Sequence, residues 1–141
     1  MSFWDTSALL PIFLPQHASH GLAALAVANE AMVVWWGTTI EAHAALARLA
    51  RTGEIDDPAK EGFLEQVTAL LDLAAEVTPT EGVRILACRC SRVHRLTAAD
   101  ALQLAAALVW AEHDPAGMGF VCLDERLREA ARREGFQVLP R

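Results

Sequence analysis

Lysine is all but missing from this chain. Lys60 stands alone, and the other basic residues are arginines. Basic charge as a whole is in deficit: 18 Asp and Glu face 12 Lys and Arg, for a formal net charge of -6. Proteins that coat polyanions are usually basic, so that class is excluded. A nucleic-acid enzyme whose metal ions supply the local positive charge is not excluded. Cysteine is scarce and odd in number, at Cys88, Cys90 and Cys122. An odd set with no secretory segment ahead of it fits a reducing compartment, and a cytoplasmic protein is expected. Cys88 and Cys90 lie two apart on an expected helix and so point to different sides, which argues against a shared metal. The start, Met1-Ser2-Phe3-Trp4, has no basic leader and no cleavage site. No apolar run free of charge and proline is long enough to cross a bilayer, so no membrane partner is expected. Repeats, low-complexity linkers and internal boundaries are also missing. At 141 residues and 53% hydrophobic, the chain reads as a single domain over 1–141.

What is present centres on Thr97–Trp110. Ala and Leu dominate it, no Gly or Pro interrupts it, and Thr97 is a good N-cap. A helix apolar nearly all round is normally buried on every side. Only Asp100 and Gln103 break the pattern. A buried carboxylate is costly unless it is paired or holds a metal. Against that, Thr97-x-x-Asp100 has capping-box spacing, and a carboxylate suits a helix N-terminus.

Taken in order, Ser2–Trp4 reads as a strand, and the cap-type residues Asp5-Thr6-Ser7 as its stop. A helix is expected over Ala8–Leu14, ending at Pro15, and a second one, capped by Ser19, over His20–Ala31. Met32–Trp36 is a continuous apolar run suited to a buried parallel strand. Thr38 or Thr39 then caps a helix from Ile40 to about Arg51. A helix from Asp56 or Asp57 to about Glu76 follows, with a short strand at Val77–Pro79. Thr80 opens a helix with an apolar face of Val83, Leu86, Ala87, Cys90 and Val93. Gly119–Leu123 reads as a strand, Asp124 caps a helix through Arg133 that Gly135 terminates, and Phe136–Leu139 is the last strand. Strands alternating with helices imply parallel pairing, an α/β sandwich of four or five short strands.

Four carboxylates share a topological position. Asp5 and Asp124 follow strands, and Glu41 and Asp100 lie in first turns of helices. In a parallel sheet the strand C-termini and the helix N-termini that follow them lie on one edge, where open α/β sheets bind ligands. Each acid taken alone has a capping explanation, Glu41 through Thr38-x-x-Glu41. As a set without neighbouring bases they repel one another. Oxygen ligands without His or Cys suit a hard cation, Mg²⁺ or Mn²⁺, rather than zinc. Such a site polarises a phosphoryl oxygen and activates water.

Four segments carry a family resemblance: Phe3-Trp4-Asp5-Thr6-Ser7-Ala8-Leu9-Leu10; Thr39-Ile40-Glu41-Ala42-His43-Ala44-Ala45-Leu46; His94-Arg95-Leu96-Thr97-Ala98-Ala99-Asp100-Ala101-Leu102-Gln103-Leu104-Ala105; and Phe120-Val121-Cys122-Leu123-Asp124-Glu125-Arg126-Leu127. In order and spacing they resemble the PIN domain, and in compact length its VapC-type toxins. The resemblance implies a PIN-like three-layer sandwich, a Mg²⁺- or Mn²⁺-dependent ribonuclease, an RNA substrate, a cognate antitoxin that blocks the site, and a homodimer. It implies that Asp5 and Asp100 are the principal metal ligands. Asp124 would be a third acid, binding directly or through water, and Glu41 would ligate or orient the water. Thr6 would hydrogen-bond within the site. Two positions depart from the pattern. Cys122 stands where many relatives have Ser or Thr and bonds hydrogen more weakly. Gln103 stands where many have His, and is expected to concern packing.

Arg48 and Arg51 follow Glu41 along one helix, and Arg48 with Arg95 are the candidates for substrate contact. Arg84, Arg89, Arg92 and Arg95 either grip phosphates or form a solvated face. His43 and His94 are read as packing or surface residues, and Trp4 and Trp35 as core. Leu9, Leu10, Ile12, Phe13, Leu14, Leu22 and Leu25 are either ordinary core or a groove for an antitoxin peptide or a second copy. A PIN-fold binding module without turnover is the alternative to an enzyme. An aspartyl-phosphate phosphatase is disfavoured, because no second Asp follows Asp5 two residues on.

Overall fold

The computed structural model describes residues 1–14, 21–28 and 31–141. Five strands form one parallel sheet: β1 (Ser2–Trp4), β2 (Met32–Trp35), β3 (Ala75–Val77), β4 (Gly119–Val121) and β5 (Gln137–Leu139). Their order is β3-β2-β1-β4-β5. The chain therefore fills one side of β1 first and the other side afterwards, with the reversal between β1 and β4. Phe3 pairs with Val33 on one side and Phe120 on the other, so the central strand is in register with both neighbours.

Helices cover both faces, as a parallel sheet requires. They are α1 (Thr6–Leu9), α2 (Leu22–Ala28), α3 (Thr38–Arg51), α4 (Asp57–Leu71), α5 (Glu81–Val93), α6 (Ala98–Trp110) and α7 (Glu125–Glu134). Strand alternation divides the core between the faces. Phe3, Val33, Trp35 and Phe120 pack with α5, α6 and α7. Trp4, Met32, Val34 and Val121 pack on the opposite face with Leu9 and Leu22. Phe3 stacks on Phe120 with ring centroids 5.4 Å apart, and Phe120 meets Phe136 at the same distance. A third cluster joins α3 to α4 through Leu46, Leu49 and Val67. Trp4 and Trp35 are core residues, and so are Leu9, Leu10, Leu14 and Leu22 of the apolar N-terminal third.

Helix α6 is the buried one. Leu104 and Ala105 to Ala107 are inaccessible to solvent, and alanine at these places lets the helix backbone lie close to the sheet and to α5. No helix of the described residues is long and apolar enough to cross a membrane.

Several expected boundaries move, each for a local reason. The first helix starts at Thr6 rather than Ala8, because the Asp5 carboxylate accepts from Ser7 N and caps it directly. It gives way to a 3-10 turn at Leu10–Ile12 rather than running to Leu14; Pro11 has no N–H to continue the α-helical ladder. The expected stop at Pro15 and cap at Ser19 lie outside the described residues. Helix α3 begins at Thr38, two residues before Ile40, with Gly37 as N-cap and no side-chain cap. The Trp35 ring lies where a side chain on residue 37 would go, so glycine is required there. Helix α4 stops at Leu71, and Ala75–Val77 is strand rather than helix, paired with Val33–Trp35. Sheet pairing outweighs the helical apolar pattern that runs on to Glu76. Val93, assigned to the apolar face of α5, is 58% exposed. The left-handed residue that ends α7, Gly135 (φ 108°), is where the glycine signal placed it.

Candidate active site

The reversal of strand order between β1 and β4 opens a crevice at the C-terminal edge, the usual ligand position in such sheets. Asp5 leaves β1 there and is 4% exposed. Its Oδ2 accepts from Ser7 N at 2.9 Å and from the Cys122 thiol at 3.7 Å. Ser7 Oγ in turn accepts from Leu123 N at 2.9 Å. These bonds tie the start of α1 to the chain just after β4, so Asp5 is held from both sides of the crevice.

Glu41 enters from α3. The capping box expected for it does not form, since Gly37 occupies the cap position and the Thr38 side chain turns into the interior, fully buried. Glu41 Oε2 instead accepts from Gln103 Nε2 at 2.7 Å, and the same nitrogen reaches Thr38 Oγ1 at 3.1 Å and Thr6 Oγ1 at 3.2 Å. Asp100 comes from the first turn of α6. Its backbone N–H donates to Thr97 Oγ1 at 3.3 Å, so the N-terminal half of that capping box is present. Asp124, exposed, caps α7 by accepting from Leu127 N at 2.9 Å.

The acids feel one another. Burial raises the Asp5 carboxyl above its ordinary range, and the charge of Asp100 adds to the rise. Glu41 is pushed up to about 7, by burial first and then by Asp5 and Asp100, with the Gln103 amide pulling the other way between them. Asp100 is raised by burial and by Asp124. Among the described residues none of the four forms an ion pair with a Lys, Arg or His. Burial also raises the Cys122 thiol, which stays a neutral donor to Asp5. Asp5, Glu41 and Asp100 thus lie within electrostatic reach of one another, and Asp124 within that of Asp100.

The donor set is all oxygen and uncompensated, which is the chemistry of a hard cation site. Among the described residues no three His, Cys, Asp or Glu side chains are gathered into a ready-made cage. Asp5, Glu41, Asp100 and Asp124 are the side chains that could hold such a cation, one that keeps several of its waters and takes one or two carboxylates.

Thr6 is 7% exposed and joined to the acids through Gln103. Arg48 lines a groove of about 320 Å³ with Glu41, Thr6, Ser7, Leu10 and Leu49. Arg95 is not in that groove. It lines a cleft of about 680 Å³ between the end of α5 and α7, with Arg126 and Arg133. Three of the four arginines of the α5 face are engaged elsewhere: Arg84 pairs with Glu81 at 3.2 Å, Arg89 pairs with Glu134 at 2.9 Å, and Arg92 Nε donates to Cys88 O at 3.3 Å. His94 is structural, its Nε2 bonded to Glu134 Oε1 at 2.6 Å.

Sequence reasoning missed Gln103 and Ser7. Gln103 is not a packing residue: it is 0% exposed and bonded to three site side chains. The signal was available. Gln103 is the second polar break in an apolar helix and lies three residues after Asp100, on the same face. Ser7 carried no signal beyond its run of cap-type residues.

No protein-family model matches the chain, and no curated protein matches it in sequence. Solved structures do. The fold is similar to that of PAE2754 from Pyrobaculum aerophilum, with a TM-score of 0.62 and 22% identity over 92% of this chain and 78% of that one. It is similar also to FitAcB from Neisseria gonorrhoeae, with a TM-score of 0.65 and 16% identity over 99% of this chain and 97% of that one. At these identities the likeness is one of fold, and the parallel five-stranded sheet flanked by helices is the PIN-like sandwich expected.

Proposed function

We propose that this protein is a Mg²⁺- or Mn²⁺-dependent endoribonuclease, the cytoplasmic toxin of a toxin–antitoxin pair. The observation that supports this most is the uncompensated acid set at the strand-order reversal: three mutually repelling carboxylates, Asp5 buried and Glu41 and Asp100 half-buried, with no basic partner among the described residues. The toxin role and the antitoxin partner rest on the motif resemblance and on the fold.

Asp5 and Asp100 would hold the cation, with Asp124 contributing directly or through water. Once bound, it would polarise a phosphoryl oxygen and acidify water. Glu41, raised towards neutrality, suits a residue that orients the attacking water and takes its proton, since a base works best with a pKa near the operating pH. Thr6 keeps the carboxylate environment hydrogen-bonded. Arg48 in the groove beside Glu41 and Arg95 in the neighbouring cleft would contact substrate phosphates. Attack of water on phosphorus with departure of the 3′-oxygen leaves a 5′-phosphate and a 3′-hydroxyl.

A second reading, a PIN-fold binding module without turnover, is favoured by one observation, the lack of a ready-made metal cage among the described residues. One experiment separates the two. An end-labelled RNA pool is incubated with antitoxin-free protein and Mn²⁺ or Mg²⁺, with chelator, and with Asp100→Asn in parallel. Cleavage that needs the metal, disappears in the variant and leaves 5′-phosphate ends supports the nuclease. Cyclic-phosphate ends would overturn it, because they require a 2′-hydroxyl nucleophile. An Asp100→Asn protein that keeps the full biological effect would favour the binding module.

A further inference from the structure

Among the described residues, Gln103 is the one fully buried side chain that touches three different members of the site. Its amide nitrogen lies 2.7 Å from Glu41 Oε2, 3.1 Å from Thr38 Oγ1 and 3.2 Å from Thr6 Oγ1. These partners come from α1 and from the first turn of α3, and Gln103 itself from α6, one turn beyond Asp100. An amide NH₂ has two hydrogens, so the three acceptors share them, and the shortest bond goes to the only charged one. The other amide atom, Oε1, is buried and has no partner among the described residues. An unpartnered buried carbonyl is destabilising, because it gives up its hydrogen bonds to water and gains none in return. A glutamine kept only for packing would be replaced at a gain by a side chain without that carbonyl, such as Met or Leu.

We propose that Gln103 is a positioning residue for the acid edge. It binds Glu41 through Oε2, fixes the rotation of that carboxylate, and sets its distance from Asp5 and Asp100. Because one neutral donor reaches α1 and α3 from α6, it locks the three elements in the register that makes the acids converge. A cationic residue at this place would neutralise Glu41 and compete with a metal ion. A neutral N–H donor holds the carboxylate while leaving its charge in place. The inference rests on the proposed nuclease reading, and its test is arranged so that the two fail differently.

The test compares wild type, Gln103→Met, Gln103→His and Asp100→Asn by calorimetric titration with Mn²⁺ alone and by RNA cleavage over a range of Mn²⁺. Met keeps the volume and removes the donor; His restores an N–H. The expected result is a Mn²⁺ affinity at least tenfold weaker in Gln103→Met. Its kcat at subsaturating Mn²⁺ should fall by a similar factor while KM for RNA stays unchanged, and Gln103→His should recover most of both. An unchanged Mn²⁺ affinity in folded Gln103→Met would overturn the proposal, as would a His variant no better than Met. Should Gln103→Met fail to fold, Thr38→Val takes its place: it removes one anchor of the amide without touching an acid. About threefold weaker Mn²⁺ binding is then expected, and none at all would overturn the proposal. If wild type itself neither binds Mn²⁺ nor cleaves RNA, the nuclease reading fails first.

Discussion

Two groups of buried charge sit in this molecule and are built in opposite ways. Between α5 and α7, Glu134 accepts from Arg89 at 2.9 Å and from His94 at 2.6 Å. Burial alone would raise its carboxyl; the two partners overcome that and hold it below the ordinary carboxylate range. At the crevice, Asp5, Glu41 and Asp100 are raised, and their strongest hydrogen-bond donors are neutral: a backbone N–H, an amide and a hydroxyl. Burial is common to both groups, so burial does not mark the functional one. Compensation does. The Glu134 carboxylate finds both of its partners within the chain. The acid edge is left short of positive charge, an arrangement that protonation relieves and that a bound cation would also relieve.

The largest effect that would break this contrast is at Asp5. Asp5→Asn keeps an excellent N-cap for α1 while removing the carboxylate charge. RNA cleavage should fall about a thousandfold, about 4 kcal/mol in barrier, with the melting temperature in chelator equal to wild type or higher. A stable Asp5→Asn protein that still cleaves would end the distinction. Next in size is the mirror experiment. Glu134→Ala strips the anion from buried His94 and should cost about 3 kcal/mol in urea unfolding, with cleavage per folded molecule unchanged. If activity fell in proportion to stability, the two clusters would not be separate devices.

The difference between the clusters also explains what could be read from the sequence. The order of strands and helices was legible because hydrophobic periodicity and caps are local, and Thr80, Thr97, Asp124 and Gly135 sit where they were expected. The acid edge was legible because parallel topology sends every strand end to one side. What was not legible depended on contacts far apart in the chain. Gln103 meets Glu41 across 62 positions, and Glu134 meets His94 across 40. Strand β3, expected at Val77–Pro79, starts two residues earlier within the helical pattern, because its pairing with β2 sets its position. The capping box at Thr38 was the false local signal: it fits the spacing, yet the Trp35 ring over Gly37 moves the helix start and sends Thr38 inward.

The pH dependence sharpens the comparison with an effect of about 2 kcal/mol. Glu41 titrates near 7 when folded against an ordinary 4.5, so the folded state holds that proton more tightly than the unfolded chain. Its contribution is full below about pH 4.5 and is lost as pH rises to about 7, and Asp5 and Asp100 act in the same direction. Glu134 has the opposite sign: its contribution is present above its ordinary value and is lost as pH falls through the lowered one. In chelator, Glu41→Gln should therefore unfold at higher urea than wild type at pH 8, and the gap should close at pH 4.5. Parallel curves for the two proteins across that range would show that Glu41 is not under strain. Saturating Mg²⁺ should reduce the gap at pH 8.

The smallest effects distinguish arginines that are free to bind a substrate from those the fold already uses. Among the described residues Arg48 and Arg95 make no ion pair, and each lines an open groove or cleft; Arg84 is paired with Glu81. Arg48→Ala and Arg95→Ala should each raise KM for RNA about fivefold, about 1 kcal/mol. Each should also lower the slope of log affinity against log salt by about 0.7, the value for one phosphate contact on a single strand. Neither should change kcat at saturating RNA, because neither touches an acid. Arg84→Ala should change neither quantity. If Arg84→Ala weakened binding as much as Arg48→Ala, the exposed face of α5 would be the RNA surface, and the groove at Arg48 and the cleft at Arg95 would have no part in holding the strand.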